Sequence, residues 1–374
     1  MTRVFIVAGD PSGDLLASRL IQSMKKFTPD LLVTGVGGNN LQQVCNKFLE
    51  NIVQQHALGF FISPQKIIFF RKILNKVIQP ELVREKYDAV ITVDFYGFNS
   101  CVAKLAKKLG HKVFYYASPQ FWASRPGRAD RLRKSVDLFL CLFPFEADFY
   151  KQRNLPAIFV GHPILDNLPQ ISLDAPEARQ EKFVGLLPGS RPDEIKRHLP
   201  IMIKACALIK KSEPKCRFIL FTVPHIEKQL YENFLPKNAT ENLGIELVED
   251  KDFKWRTQLD LAITASGMET FENALLGIPM VVMYKTSVLN YWIVKSLINI
   301  SFIGMPNLLS GRQIVPELIQ RNATPEKIAN HIIHWLKNPA ERNELRKELL
   351  SLRRQFGESG ASDRAARTIL EKVA

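Results

Sequence analysis

Twice in this chain a short apolar run breaks into a turn of small residues that opens a helix. The first is Val4-Phe5-Ile6-Val7-Ala8-Gly9-Asp10-Pro11-Ser12-Gly13-Asp14, and the second is Leu261-Ala262-Ile263-Thr264-Ala265-Ser266-Gly267-Met268-Glu269-Thr270. An unbroken apolar run of that length is the pattern of a strand buried on both faces of a parallel sheet. Compact residues after it expose backbone N–H groups at a helix N-terminus, which attracts anions. Two such units near opposite ends predict two α/β halves facing one cleft.

Strand-like runs alternate with helical patterns over the rest of the chain. In the first half they are 4–8, 31–35, 89–93, 112–116, 138–142 and 157–160; in the second, 183–187, 217–223, 261–264 and 280–284. Between the halves, Asn167-Leu168-Pro169-Gln170-Ile171-Ser172-Leu173-Asp174-Ala175-Pro176 is polar and punctuated by proline. The expected organisation is therefore a first domain over 1–166, a second over 177–338, and a charged helical tail over 339–374. Such a tail returns to the first domain or reaches a partner subunit, which would make a homodimer.

At 374 residues the chain is long enough for two cores, and its apolar and charged fractions, 46% and 24%, exclude a disordered protein. Its net charge of +14 is unusual and implies a polyanionic partner: nucleic acid, an anionic membrane face or phosphorylated substrates. Cys45, Cys101, Cys141, Cys206 and Cys216 lie far apart without a C-x-x-C pair, which argues against structural zinc and a disulfide framework and fits a reducing cytosol. His331 and His334 have ligand-like spacing but no third ligand nearby, so no metal is expected. No signal peptide is visible, and no stretch reaches the ~20 uncharged apolar residues of a membrane span; the nearest, 288–305, is broken by Asn290, Lys295 and Asn299.

One segment stands apart. In 63–78, Ser63 caps and Pro64 takes the first helical position. Ile67, Phe69, Phe70, Ile73, Leu74, Val77 and Ile78 then fill about half the circumference at 100° per residue, with Arg71, Lys72 and Lys76 opposite. Phe60-Phe61-Ile62 adds apolar surface in front. The pattern is that of a helix lying in an anionic bilayer interface; a core helix with solvated lysines gives the same pattern.

Four turns carry candidate chemistry. Gly189, Ser190 and Arg191 follow the strand at 183–187, where ligands of open α/β sheets collect, and Arg191 has the fork geometry for a phosphate; a surface arginine after a turn is the plain alternative. Ser266 and Gly267 open a helix closed by Gly277 and Pro279. Glu272, one turn in, has the placement of a ribose-binding carboxylate, although capping explains one of Glu269 and Glu272 equally well. Asp94 ends the strand 89–93, as a general base or as a cap for the next helix. The loop from Gly9 to Asp14 lacks the G-x-G-x-x-G spacing, as does Gly35-Val36-Gly37-Gly38, and no G-x-x-x-x-G-K-[ST] occurs, which disfavours a nicotinamide dehydrogenase and a P-loop nucleotidase.

In order and spacing, several segments together resemble the lipid-A-disaccharide synthase family of inverting, two-Rossmann-domain (GT-B type) glycosyltransferases. They are Ala8–Asp14, Gly35–Gly38, Ser118-Pro119-Gln120-Phe121-Trp122-Ala123, Gly161-His162-Pro163-Ile164-Leu165-Asp166, Leu187–Arg191, Ala265–Gly267, Pro306 to Glu317 and Gly360 to Ala366. The chain departs from the family in Asp10 as the first-loop acid, in Met268-Glu269-Thr270-Phe271 where small residues and a leucine are usual, and in Gly97 where some members carry a second acid.

The resemblance implies a peripheral enzyme on the cytoplasmic face of the inner membrane of a Gram-negative-type bacterium. It would join UDP-2,3-diacylglucosamine to 2,3-diacylglucosamine 1-phosphate and release UDP, with no cofactor. In that reading Asp94 is the base. Ser190, Arg191, Gly189, Ser266, Gly267, Glu272, Asn307 and Arg312 bind the UDP moiety, and Ser12, Gly13 and Asp14 lie on the acceptor side. Phe61, Ile67, Phe69, Phe70, Ile73 and Leu74 meet the membrane. Another UDP-sugar enzyme of this fold, a soluble glycosyltransferase or a UDP-GlcNAc 2-epimerase, is the alternative. A nucleic-acid binder is disfavoured because, outside Arg125 to Lys134, cations and acids are interspersed and no nucleic-acid motif occurs.

Overall fold

The computed structural model describes residues 1–53, 64–122, 126–169, 171, 180–237, 239–250, 252–287 and 301–373. It divides into one unit of Met1–Asp166 with Phe356–Ala374 and a second of Asn167–Gln355. The expected tail is thus divided. The helix Pro339–Arg353 stays with the second unit, and Ala361–Val373 packs on the helix Pro11–Phe27 of the first. Arg364 fastens it there, donating to the carbonyls of Val160, Ser359 and Glu358.

The first unit is a seven-stranded parallel sheet: β1 (Arg3–Ala8), β2 (Leu32–Gly37), β3 (Lys47–Asn51), β4 (Ala89–Val93), β5 (Val113–Tyr116), β6 (Leu138–Cys141) and β7 (Ala157–Phe159). Their spatial order is β3-β2-β1-β4-β5-β6-β7. The second unit is a six-stranded parallel sheet: β8 (Lys182–Leu187), β9 (Cys216–Phe221), β10 (Ile245–Val248), β11 (Leu261–Ala265), β12 (Met280–Tyr284) and β13 (Glu317–Ile319), ordered β10-β9-β8-β11-β12-β13. Central strands are buried on both faces, as in Val4–Ala8, Ala89–Val93 and Leu261–Ala265, so their runs are continuously apolar rather than alternating.

In both sheets the order reverses once, between β1 and β4 and between β8 and β11. At such a point neighbouring strands send their connections to opposite faces, which opens a crevice at their carboxyl ends. Both small-residue turns noted in the sequence stand there: Gly9–Asp14 follows β1, and Ser266–Gly267 follows β11.

The helix expected over 63–78 is helical from Pro64, α through Ile73 and then one π-helical turn over Leu74–Ile78. Its residues separate into two groups. Ile73 and Ile78 lie in the first unit's core, and Phe69, Phe70, Leu74 and Val77 pack against that core. Ile67 and Ile68 are 44% and 66% exposed. Ile73 is therefore a core residue and not a lipid contact, because its apolar surface is already covered; Phe61 and Ser63 lie outside the described residues. Among the described residues no helix is long and apolar enough to cross a membrane.

Candidate active site

In the first unit, Asp10 caps the helix Pro11–Phe27. Its Oδ1 accepts from the Gly13 N–H at 3.1 Å and its Oδ2 from the Ser12 hydroxyl at 2.7 Å. A side chain on Gly13 would have to occupy space 2.5 Å from Asp10 Oδ1, so glycine is what lets the turn close. Ser12 remains exposed. Asp14 is turned into the fold. It is 2% exposed and accepts from the backbone N–H groups of Gly38, Asn40 and Leu41 and from the Asn40 amide, at 2.7 to 3.2 Å. Its carboxylate is saturated by the turn after β2, which corrects its assignment to the acceptor side.

Asp94 follows β4, which pairs with β1, and so stands near Asp10 in the turn after β1. Asp94 and Phe95 both adopt left-handed backbone, with φ of 49° and 44°. Such conformations in non-glycine residues cost about 1–3 kcal/mol each and persist only where the surroundings enforce them. Here the Asp94 N–H donates to Tyr116 O at 3.0 Å, and Asp94 O accepts from the Tyr115 hydroxyl at 2.7 Å and the Asn99 amide at 2.9 Å. Phe95 N–H donates to Asp94 Oδ1 at 2.8 Å. Burial, and then the Asp10 charge, push the Asp94 carboxyl up to about 6 against that last bond. A carboxylate so poised is ionised at neutral pH yet basic enough to accept a proton.

Two further residues of this edge were not among the site residues expected from the sequence. Glu146 is buried and accepts from the Trp122 indole at 3.1 Å and from Ser118 Oγ, Leu142 N–H and Phe143 N–H at 3.3 Å. It ties the Ser118–Trp122 segment to the helix Pro144–Lys151, while burial pushes its carboxyl up to about 7. Pro144 at the first helical position with glutamate two residues later was the available signal. His162, in the Gly161–Asp166 motif, is buried and neutral: burial holds it down at about 3, and its Nδ1 accepts from Ile164 N–H at 3.2 Å.

In the second unit, Gly189 has φ +111°, and a Cβ there would lie 2.6 Å from Glu194 Oε2. Arg191, 51% exposed, is braced by Glu194 at 2.8 Å, and the Ser190 carbonyl accepts from His225 at 2.9 Å. After the adjacent strand, Gly267 (φ +153°) opens the helix Met268–Leu275 with no side-chain cap among the described residues, and such an N-terminus attracts anions. Ser266 Oγ donates to Ile303 O at 2.7 Å and anchors the turn. Glu272 Oε2 is paired with the largely buried Arg256 at 2.9 Å; Glu269, in the first turn, is raised to about 7 by burial and by the nearby carboxylates Glu272 and Glu194, against Arg256. His198 joins the ends of β8 and β12, donating from Nδ1 to Pro188 O at 2.8 Å and accepting at Nε2 from Lys285 N–H at 3.0 Å.

Gly189, Ser190, Arg191, Ser266, Gly267 and Glu272 thus share one edge of the sheet, at its switch point. Asn307 and Arg312 do not join them as ligand groups. Asn307 is fully buried and spends all four hydrogen-bonding positions internally. Its amide donates to Val315 O and Glu317 Oε1, both at 2.8 Å, and its oxygen accepts from Ile314 N–H at 2.7 Å and Val315 N–H at 2.9 Å. Arg312 precedes β13 and so lies at the amino ends of the parallel strands, opposite Ser266, where it pairs with Glu348. Among the described residues no cluster of three metal-ligating side chains occurs.

Residues 4–370 match the family model described as lipid-A-disaccharide synthetase. The lipid-A-disaccharide synthases of Geobacter metallireducens and Coxiella burnetii are each 35% identical to the chain, covering 99% and 98% of it and 97% of their own lengths. Solved structures similar in fold include the UDP-GlcNAc 2-epimerase of Neisseria meningitidis (TM-score 0.61, 14% identity, 100% and 99% of the two chains) and the MurG of Acinetobacter baumannii (0.61, 14%, 99% and 100%). At that identity the structures speak to the fold alone, whereas family model and relatives agree over nearly the whole length: the chain belongs to the lipid-A-disaccharide synthetase family.

Proposed function

We propose that this glycosyltransferase joins UDP-2,3-diacylglucosamine to 2,3-diacylglucosamine 1-phosphate, with Asp94 as the base. Asp94 removes the proton of the acceptor 6-hydroxyl as that oxygen bonds to the anomeric carbon of the donor. The bond from that carbon to the diphosphate breaks on the opposite face, giving a β-1,6 linkage and UDP. The charge that develops on the leaving diphosphate falls to the uncapped helix N-terminus at Gly267 and to Arg191, fixed donors of the kind that stabilise such charge. Glu272 Oε1 is the acceptor for a ribose hydroxyl. Ser12 is the exposed hydroxyl of the acceptor side.

The observation that carries this reading is Asp94 itself: a carboxylate on a strained left-handed turn at a switch point, with its proton affinity raised toward neutrality. In the Asp94→Asn variant, turnover should fall by at least about 10²-fold, the usual scale of a lost general base, with UDP affinity unchanged. Near-normal turnover would remove Asp94 from the role.

The lipid substrates and the charge of +14 support a peripheral position on the cytoplasmic face of the inner membrane. The exposed Ile67 and Ile68, flanked by exposed Arg71 and Lys72, are the part of their helix suited to it. A homodimer formed by tail exchange would swap the helix Ala361–Val373 between copies, and sedimentation at two protein concentrations reads that directly.

A further inference from the structure

The 3₁₀ helix Pro126–Leu132 follows β5 on the edge of the sheet that carries Asp94. Within it Arg128 is half-buried, its guanidinium 5.7 Å from the centre of the Tyr96 ring. Tyr96 in turn stands edge-on to Phe121, with ring centres 4.7 Å apart. Tyr96 is two residues from Asp94 and starts the helix that leaves it. Among the described residues Arg128 makes no hydrogen bond and no ion pair, whereas its neighbour Arg133 is satisfied by Asp130 at 2.6 Å and Asn154 O at 3.1 Å. A 3₁₀ helix repeats every three residues, so Arg131 shares the ridge of Arg128. It too is exposed and unpaired among the described residues.

We propose that Arg128, assisted by Arg131, is the subsite for the phosphomonoester of the acceptor. This deepens the reading above and rests on it. The acceptor carries its 1-phosphate and its 6-hydroxymethyl group on the two carbons that flank the pyranose ring oxygen, so one edge of a site meets both. Arg128 meets the ring of Tyr96, and Tyr96 is two residues from Asp94 in the chain, which puts an arginine on the same edge as the base. A phosphomonoester carries close to two negative charges at neutral pH, and a guanidinium binds it through two parallel N–H donors. Stacking on Tyr96 holds the fork before the substrate arrives, so less side-chain freedom is lost on binding. In that reading the donor diphosphate is met by Arg191 and a helix terminus in the second unit, which leaves Arg128 to the second substrate.

The test compares wild type with Arg128→Ala and Arg128→Lys on two acceptors, 2,3-diacylglucosamine 1-phosphate and the same sugar without phosphate, in detergent. The alanine variant should raise KM for the phosphorylated acceptor about 10–100-fold, the scale of a lost charge-assisted pair. It should leave donor KM within about twofold and match wild type on the dephosphorylated acceptor. The lysine variant, which keeps the charge and loses the fork, should fall between, and it decides the matter if the alanine variant does not fold. Equal losses on both acceptors, or a rise in donor KM instead, would overturn the subsite. So would unchanged kinetics with weakened binding to phosphatidylglycerol vesicles, which would make the ridge a membrane contact. Wild-type turnover on the phosphorylated acceptor checks the underlying reaction separately, so the two ideas fail independently.

Discussion

Replacing Asn307 with alanine separates a structural from a ligand-binding role for the Asn307–Glu317 block. The side chain closes four hydrogen bonds, of which those to the Val315 carbonyl and from the Val315 N–H are fully buried. Leaving a buried backbone group without a partner costs about 1–3 kcal/mol, so these two alone imply roughly 2–6 kcal/mol. The Glu317 carboxylate, which also accepts from Ile303 N–H and Gly304 N–H, loses one of its three donors. Taking about 4 kcal/mol as the midpoint and about 2–4 °C per kcal/mol for a unit of this size, the melting temperature should fall by roughly 8–16 °C. Calorimetry reads the shift, and steady-state kinetics below the transition reads the donor KM, expected within about threefold of wild type. A melting temperature lowered by less than about 2 °C together with a large rise in donor KM would refute the reasoning. It would mean that the amide is spent on substrate.

Three further outcomes follow from the geometry. Alanine at Gly9 would place its methyl 2.6 Å from two carbons of the Phe95 ring, which also packs on Phe70, so the left-handed turn bearing Asp94 must shift. Turnover should drop about 10²-fold with the chain still folded, given the sensitivity of catalysis to displacements near 1 Å; normal turnover would show that the turn tolerates the shift. Because Asp94 acts as a base only when ionised and its carboxyl is raised to about 6, kcat/KM should fall tenfold per pH unit on the acid side of about pH 6. An acid limb near 4 would contradict that environment. Serine at both Ile67 and Ile68 should weaken binding to anionic vesicles while leaving detergent-based turnover within about twofold, and unchanged vesicle binding would place the membrane contact elsewhere.

The parts of the fold that could be read from the residues were those where burial is complete. β1, β4, β11 and β12 are uninterrupted apolar runs because both faces are covered, and their ranges come out within one residue. The three strands not anticipated, Lys47–Asn51, Ile245–Val248 and Glu317–Ile319, all lie at sheet edges. There burial is partial and polar residues interrupt the run, as in Lys47-Phe48-Leu49-Glu50-Asn51. The helix at 64–78 left two readings open for a different reason. One apolar stripe serves a core as well as a membrane surface, and here Ile73 and Ile78, with Phe69, Phe70, Leu74 and Val77 packed beside them, meet the core.

For the candidate site, the turns that carry Asp94, Arg191 and Gly267 were legible because a parallel sheet sends the turns after its strands to one edge. The same logic could not place Asn307 or Arg312. The linear order does not reveal that the helix Met305–Ser310 runs back toward the amino ends, so a motif that looked functional is partly a clamp. Asp14 was misassigned similarly: a carboxylate in a glycine turn and a carboxylate that caps the next turn have the same sequence signature.

Product analysis tests the central claim most directly. Purified protein is incubated with UDP-2,3-diacylglucosamine and 2,3-diacylglucosamine 1-phosphate, and linkage and stoichiometry are read by NMR and mass spectrometry. The account predicts a β-1,6-linked disaccharide 1-phosphate and one UDP per linkage formed, with none released when the acceptor is withheld. Conversion of the UDP-sugar to its 2-epimer without acceptor, or a product of α configuration, would contradict it.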